Sequence, residues 1–224
     1  MNIWIVIGTS ALASAVVNVI ANIFMKRWEH QREDQKELET RKYIYLDIAL
    51  QLEDFAAKAS TILERIEVAI DQARFDADDR SLSNLESIKF EFDPQPDWSK
   101  ISIDLASKAQ GFPRSLARSQ QFIFAAFEYW AGADEAWEYD AERIAFYGVQ
   151  AIEFAAKLRA DIGTPKDENM DSSLGIFEGY IAKRRKVYER TRTEGAVIPE
   201  LFKQFEREDV QAGRMLPNVT AGSG

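Results

Sequence analysis

The chain has 224 residues, 46% hydrophobic and 29% charged, with a formal charge of −9, a composition that folds as one ordinary domain plus a short extra module. It has no cysteine and one histidine, His30. The missing cysteine excludes disulfides, thiolate nucleophiles and sulfur-bound zinc, a single histidine excludes histidine metal clusters, and the place of His30 in a charged stretch just after an apolar segment argues against a Ser/His/Asp triad within one chain.

From Met1 to Met25 there is no Asp, Glu, Lys or Arg, and residues 3–25 as a helix would span about 34 Å, enough for a bilayer core. This predicts an N-terminal transmembrane helix over residues 1–25. Ala13-Ser14-Ala15 resembles a signal-peptide cleavage site, but the positive region that should precede the apolar core is missing. Lys26, Arg27, Arg32 and Lys36 follow it instead, so the positive-inside rule puts the N-terminus outside and the rest in the cytoplasm. The implied address is the inner (cytoplasmic) membrane of a bacterium, crossed once. On a helical wheel Ser10, Ala11, Ser14, Ala15, Asn18, Ala21 and Asn22 share an arc of roughly 140°. Small residues let helix backbones approach, and their polar neighbours hydrogen-bond across the seam. That arc is the candidate helix-association face, and a homo-oligomer is the expected partner state.

No glycine or proline occurs between Gly8 and Pro94, so the first helix is expected to leave the membrane unbroken. Residues 26–42 are almost wholly polar and read as a charged juxtamembrane stalk. Ile44, Ile48, Leu52, Phe55, Ala59, Ile62, Ile66 and Ile70 then mark one helical face. Residues 43–193 are read as a helical bundle of about four main helices, interrupted by an irregular insert over residues 76–112. Within the insert Ile88, Phe90 and Phe92 alternate with charges as a short extended piece, Asp97 is an expected cap for a short helix through Gln110, and Gly111-Phe112-Pro113 is expected to punctuate before the next helix. That helix has Leu116, Ile123, Ala126, Phe127 and Trp130 facing inward. Asp134 is an expected cap for a further helix with Trp137, Ala141, Ile144, Gly148, Ile152, Ala155 and Leu158 inward, ending at Gly163. A last main helix is expected from Asp171 to Arg192. Residues 194–224 read as a C-terminal tail, with one amphipathic turn from Pro199. The fold class is all-α, in an up-down bundle or a variant whose insert crosses over.

The chemistry-bearing residues are sparse. Asp76, Asp78 and Asp79 lack the glycine and distal glutamate of a calcium loop. Glu128, Asp134, Glu135, Glu138, Asp140, Glu142 and Glu153 invite comparison with carboxylate-bridged metal sites, but those need histidines on the facing helices, so most are read as a solvated face, with an all-oxygen magnesium site as the weaker alternative. Lys183, Arg184, Arg185 and Lys186 form the sharpest basic cluster, a candidate contact for an anion or lipid headgroup, or simply complements to a helix C-terminus. No catalytic, metal or cofactor motif is identifiable, and the acidic balance predicts no nucleic-acid partner. The sequence therefore points to a membrane-anchored, non-enzymatic protein that acts by self-association or by binding a cytoplasmic protein. The alternative is a membrane-permeabilising oligomer, either a pore-forming effector or a holin-like lysis factor.

Overall fold

The structure, a computed structural model, describes residues 3–191 and 195–213, with side chains described from residue 25 onward. It is all-helical among these residues: α1 is Ile3–Asp76, α2 Ile103–Tyr129, α3 Ala133–Ile162, α4 Met170–Thr191 and α5 Pro199–Gln211, with 3₁₀ turns at Asp79–Asn84 and Trp98–Lys100. Every residue from Met25 to Tyr43 is exposed, in keeping with the mostly polar sequence there. Among the described residues no helix is long and apolar enough to cross a membrane. The apolar span, and with it the face made by Ser10, Ala11, Ser14, Ala15, Asn18, Ala21 and Asn22, lies outside the described side chains.

Side-chain pairs set the helix directions. Arg74, near the end of α1, meets Asp134 and Glu138 at the start of α3, while Glu53 pairs with Arg159 near the end of α3, so these helices are antiparallel. α4 runs parallel to α1, with Ser173 Oγ 3.2 Å from Ser60 Oγ and Lys183 Nζ 2.9 Å from Glu67 Oε1. Phe112 packs on Tyr147 and Phe122 on Tyr139, which makes α2 antiparallel to α3. Consequently α1 and α2 are parallel, and residues 77–102 must return along the length of the domain. They do so in contact with α1: Ser81 Oγ donates to Ala69 O, the Phe90 ring lies 5.2 Å from Phe55, and the Asp93 N–H donates to Gln51 Oε1. Of the two expected architectures, the crossover variant is the one adopted.

The core follows the helical period. Ile48, Leu52, Phe55, Ala59, Leu63, Ile66 and Ile70 of α1 are buried against Ala141, Ile144, Ala145, Ile152, Ala155 and Leu158 of α3, with Phe177 of α4 in the same cluster. Each large side chain so buried stabilises the domain by about 1.5–3 kcal/mol. The crossover contributes Ile88 and Phe92 to this core, and Phe55, Phe90 and Phe112 form an edge-to-face trio between α1 and α2. Although Ile88, Phe90 and Phe92 alternate in burial with exposed Lys89 and Glu91, no strand forms there.

Three local expectations are corrected. Asp97 caps only the short 3₁₀ turn, and Ser102 caps α2 by accepting from the Leu105 N–H. Gly111-Phe112-Pro113 does not end a helix: α2 continues through it, because Ala109, Phe112 and Leu116 are all buried on one face and that packing outweighs the hydrogen bond lost at Pro113. At the start of α3 the cap is Gly132, and Asp134 sits in the first turn with its carboxylate on Arg74. Beyond α4, the segment read as tail carries α5. Val197, Ile198, Leu201 and Phe205 are buried in a second cluster with Ile123, Tyr139 and Tyr188.

Candidate functional site

The helical core contains a polar layer, and Arg143 of α3 is its centre. The side chain is 1% exposed. Its Nε donates to Asp140 Oδ1 at 2.7 Å, Nη1 to Leu116 O at 3.3 Å, and Nη2 to Ser87 Oγ at 2.7 Å and Ile88 O at 3.2 Å. Ser87 in turn lies 2.6 Å from Gln120 Oε1 and 2.9 Å from Asp140 Oδ2. A buried guanidinium needs a carboxylate and further acceptors to offset its desolvation, and here the crossover backbone supplies one of them. The network thus stitches the crossover, α2 and α3 together.

Two concavities open on either side of this layer. The larger, about 780 Å³, lies between the crossover and α2 and is lined by Phe90, Phe92 and Trp98, by Gln95, Gln110 and Gln120, and by Lys89, Arg114 and Arg143, with Glu91 as its one carboxylate. The Trp98 indole is fixed by donating to Gln95 Oε1 at 3.2 Å and by edge contact with Phe92. The smaller, about 210 Å³, is a mostly apolar recess between α2 and α3, with Ile123, Phe124, Phe127 and Trp137 around Ser87, Gln120 and Asp140. Phe124 is 67% exposed and Phe127 57%, and Tyr129 and Trp130 beyond them are also largely open. Phe127 and Trp130 were expected inside; their exposure leaves an aromatic surface at the junction of α2 and α3.

The basic cluster does not converge on one site. Arg184 is buried, bonded to Glu142 Oε1 at 2.6 Å, Glu138 Oε2 at 3.0 Å and Ala196 O at 3.3 Å. Arg185 is held by Asp209, Glu208, Glu189 and Phe205 O, and its guanidinium lies 4.9 Å from the Phe205 ring. Lys183 reaches Glu67 on α1, and Lys186 is exposed. Arg184 and Arg185 are thus committed to carboxylates of this chain and fasten α5.

The acidic residues divide as well. Glu128 and Glu153 are exposed, whereas Asp140 and Glu142 are fully enclosed, which corrects their placement on a solvated face. Glu142 accepts from Arg184 and from the Ile198 N–H at 2.6 Å. Burial pushes its carboxyl up to about 7, against the opposing pull of Arg184 and the Ile198 N–H. Among the described residues no group of three or more His, Cys, Asp or Glu side chains is placed to hold a metal ion.

Sequence reasoning missed the Arg143 layer and the concavity beside it. Arg143 bonds to groups 27 to 56 residues away as well as to Asp140, and no local periodicity encodes partners at that separation. One available signal was the run of Asp140, Glu142 and Arg143 inside a helix whose flanking Ala141 and Ile144 belong to the apolar face. Comparison with protein-family models, with curated proteins and with solved structures found no match to this chain.

Proposed function

We propose that the chain is a non-enzymatic membrane-tethered binding protein, a helical domain carried on a rigid stalk. The carrying observation is that α1 runs without a break from Ile3 to Asp76, so the uncharged N-terminal segment and the packed core share one rod. In this reading residues 3–25 span the inner membrane of a bacterium with the domain in the cytoplasm. The arc of Ser10, Ser14, Asn18 and Asn22 joins copies within the bilayer. The aromatic surface of Phe124, Phe127 and Trp130 lies level with Arg74, about 70 Å along the rod from Met25, too far to touch the same bilayer. Exposed aromatics at that height suit a protein partner.

The absence of native cysteine makes single-cysteine variants unambiguous reporters. Under mild oxidation in membranes Asn18→Cys should cross-link to a dimer and Val17→Cys, on the other arc, should not. Equal cross-linking of both, or of neither, would remove the association face. Alkaline phosphatase fused after Gly213 should be inactive, and an active fusion would reverse the orientation. A drop in membrane potential on expression would instead favour the permeabilising oligomer.

A further inference from the structure

The concavity between the crossover and α2 has a one-sided hydrogen-bonding character. Of its side-chain amides, Gln95 spends its oxygen on the Trp98 Nε1–H and Gln110 on Arg114 Nη2, so both leave their –NH2 groups as donors. Lys89 and Arg114 add cationic donors at the exposed rim. Arg143 at the floor uses four of the five N–H donors a guanidinium carries. Against these stands a single carboxylate, Glu91. A locally cationic, donor-rich hollow in a chain of formal charge −9 is complementary to an anion rich in acceptors.

The rest of the lining is aromatic. Half-buried Phe90 and Trp98 face the hollow as one wall, braced by the buried Phe92 packed edge-on between them at ring centroids 4.8 and 5.4 Å, and the indole is held in place by Gln95. Such a wall offers apolar contact to a flat ring at little ordering cost, because the rings are already fixed. At about 780 Å³ the space falls within the range of roughly 300–1,000 Å³ typical of small-molecule sites.

We infer that this cleft binds a small anion carried on a flat aromatic ring, its charged group facing Lys89 and Arg114 and its ring against Trp98. The anionic group can be a phosphate ester or a carboxylate, and two probes separate them. Calorimetric titration of the full chain in detergent with adenosine 5′-monophosphate and with indole-3-acetate should show one equivalent of one of them binding with Kd below about 1 mM. Adenosine or inorganic phosphate alone should bind at least about ten-fold more weakly, having half of the contacts. Lys89→Gln with Arg114→Gln, both exposed and so without effect on folding, should weaken the successful probe by about ten-fold or more. A parallel Lys186→Gln variant should not. Binding of neither ringed anion, binding unaffected by the paired glutamine variant, or inorganic phosphate binding as tightly as the nucleotide would overturn the assignment.

Discussion

Gly148 sits in the middle of α3, where propensity alone says that alanine should stabilise the helix by up to about 1 kcal/mol. The structure reverses the sign. A Cβ at this position would overlap Cζ of Phe177 and stand 2.5 Å from its Cε2 and 2.8 Å from its Cδ2, where ordinary carbon contacts need about 3.5–4.0 Å. The ring would have to retreat by about 1 Å, yet Phe177 is fully buried in the cluster that joins α1, α3 and α4. Overpacking of this kind costs about 1–3 kcal/mol or more, and three ring atoms are involved, so Gly148→Ala should be net destabilising by about 1–2 kcal/mol once the propensity gain is subtracted. Urea denaturation followed by circular dichroism measures this, and a double-mutant cycle identifies the cause. Phe177→Ala alone should cost about 3–5 kcal/mol. On that background Gly148→Ala should become neutral or stabilising, because the obstructing ring is gone. If Gly148→Ala stabilised the native chain, or had the same effect in both backgrounds, the close approach of α3 to α4 would not be as described.

Glu142 supplies a pH test. Its folded carboxyl is raised to about 7 by burial, opposed by Arg184, so between about 4.5 and 7 the folded chain holds a proton that the unfolded chain has released. The stability due to this group is therefore fully present at low pH and falls as pH rises through that window, by up to about 3 kcal/mol. Glu142→Gln removes the titration, so its stability relative to the parent should improve from pH 5 to pH 8; a pH-independent difference would show the carboxyl is not raised. Arg143→Met strands the buried Asp140 carboxylate and should cost about 3–5 kcal/mol, with Arg143→Met plus Asp140→Leu costing less than the single change. Arg159 grips Glu53 through two bonds of 2.6 and 2.8 Å, and a double-mutant cycle on this pair should give a coupling of about 1–3 kcal/mol. Arg185→Ala should raise amide exchange across residues 199–211 while leaving α3 protected, since Arg185 holds Asp209, Glu208 and Phe205 O.

What could be read from the sequence is what repeats. The steps of three and four from Ile44 to Ile70, and from Trp137 to Leu158, do line the faces of α1 and α3 that pack together, with Ile44, Ile62 and Trp137 half-buried at the margins. The Gly163 stop is also real, with φ 73° at the end of α3. Errors arose where a local signal competed with a distant one. Pro113 is a local breaker, but Phe112 beside it is clamped by Phe55, Phe90 and Tyr147, and none of those contacts is visible within a helical window. Charge was misjudged for the same reason. Glu142 and Arg184 lie 42 residues apart, so each looked like a surface residue until the fold paired them.

The crossover explains why the candidate cleft lies where it does. Had the chain turned directly from α1 into an antiparallel neighbour, the space beside α2 would have been filled by another helical face of interlocking side chains. Instead an extended segment occupies it. An extended chain is thinner than a helix and exposes its carbonyl groups, so it needs acceptor-matched partners along its length. Arg143 meets that need at Ile88 O and the Gln51 amide N–H does so at Pro94 O, while Gln51 Oε1 accepts from the Asp93 N–H. Side chains on alternate sides then part company: Ile88 and Phe92 enter the core, while Lys89 and Glu91 remain at the rim. The same alternation that secures the segment therefore sets charge beside the aromatic wall formed with Trp98. Replacing Ile88 by Ser should test that dependence, because losing its buried anchor should loosen the crossover and raise amide exchange over residues 85–98 before α1 or α3 is affected. Exchange rising equally throughout the domain would show instead that the crossover is not a separate unit and that the cleft is as rigid as the core.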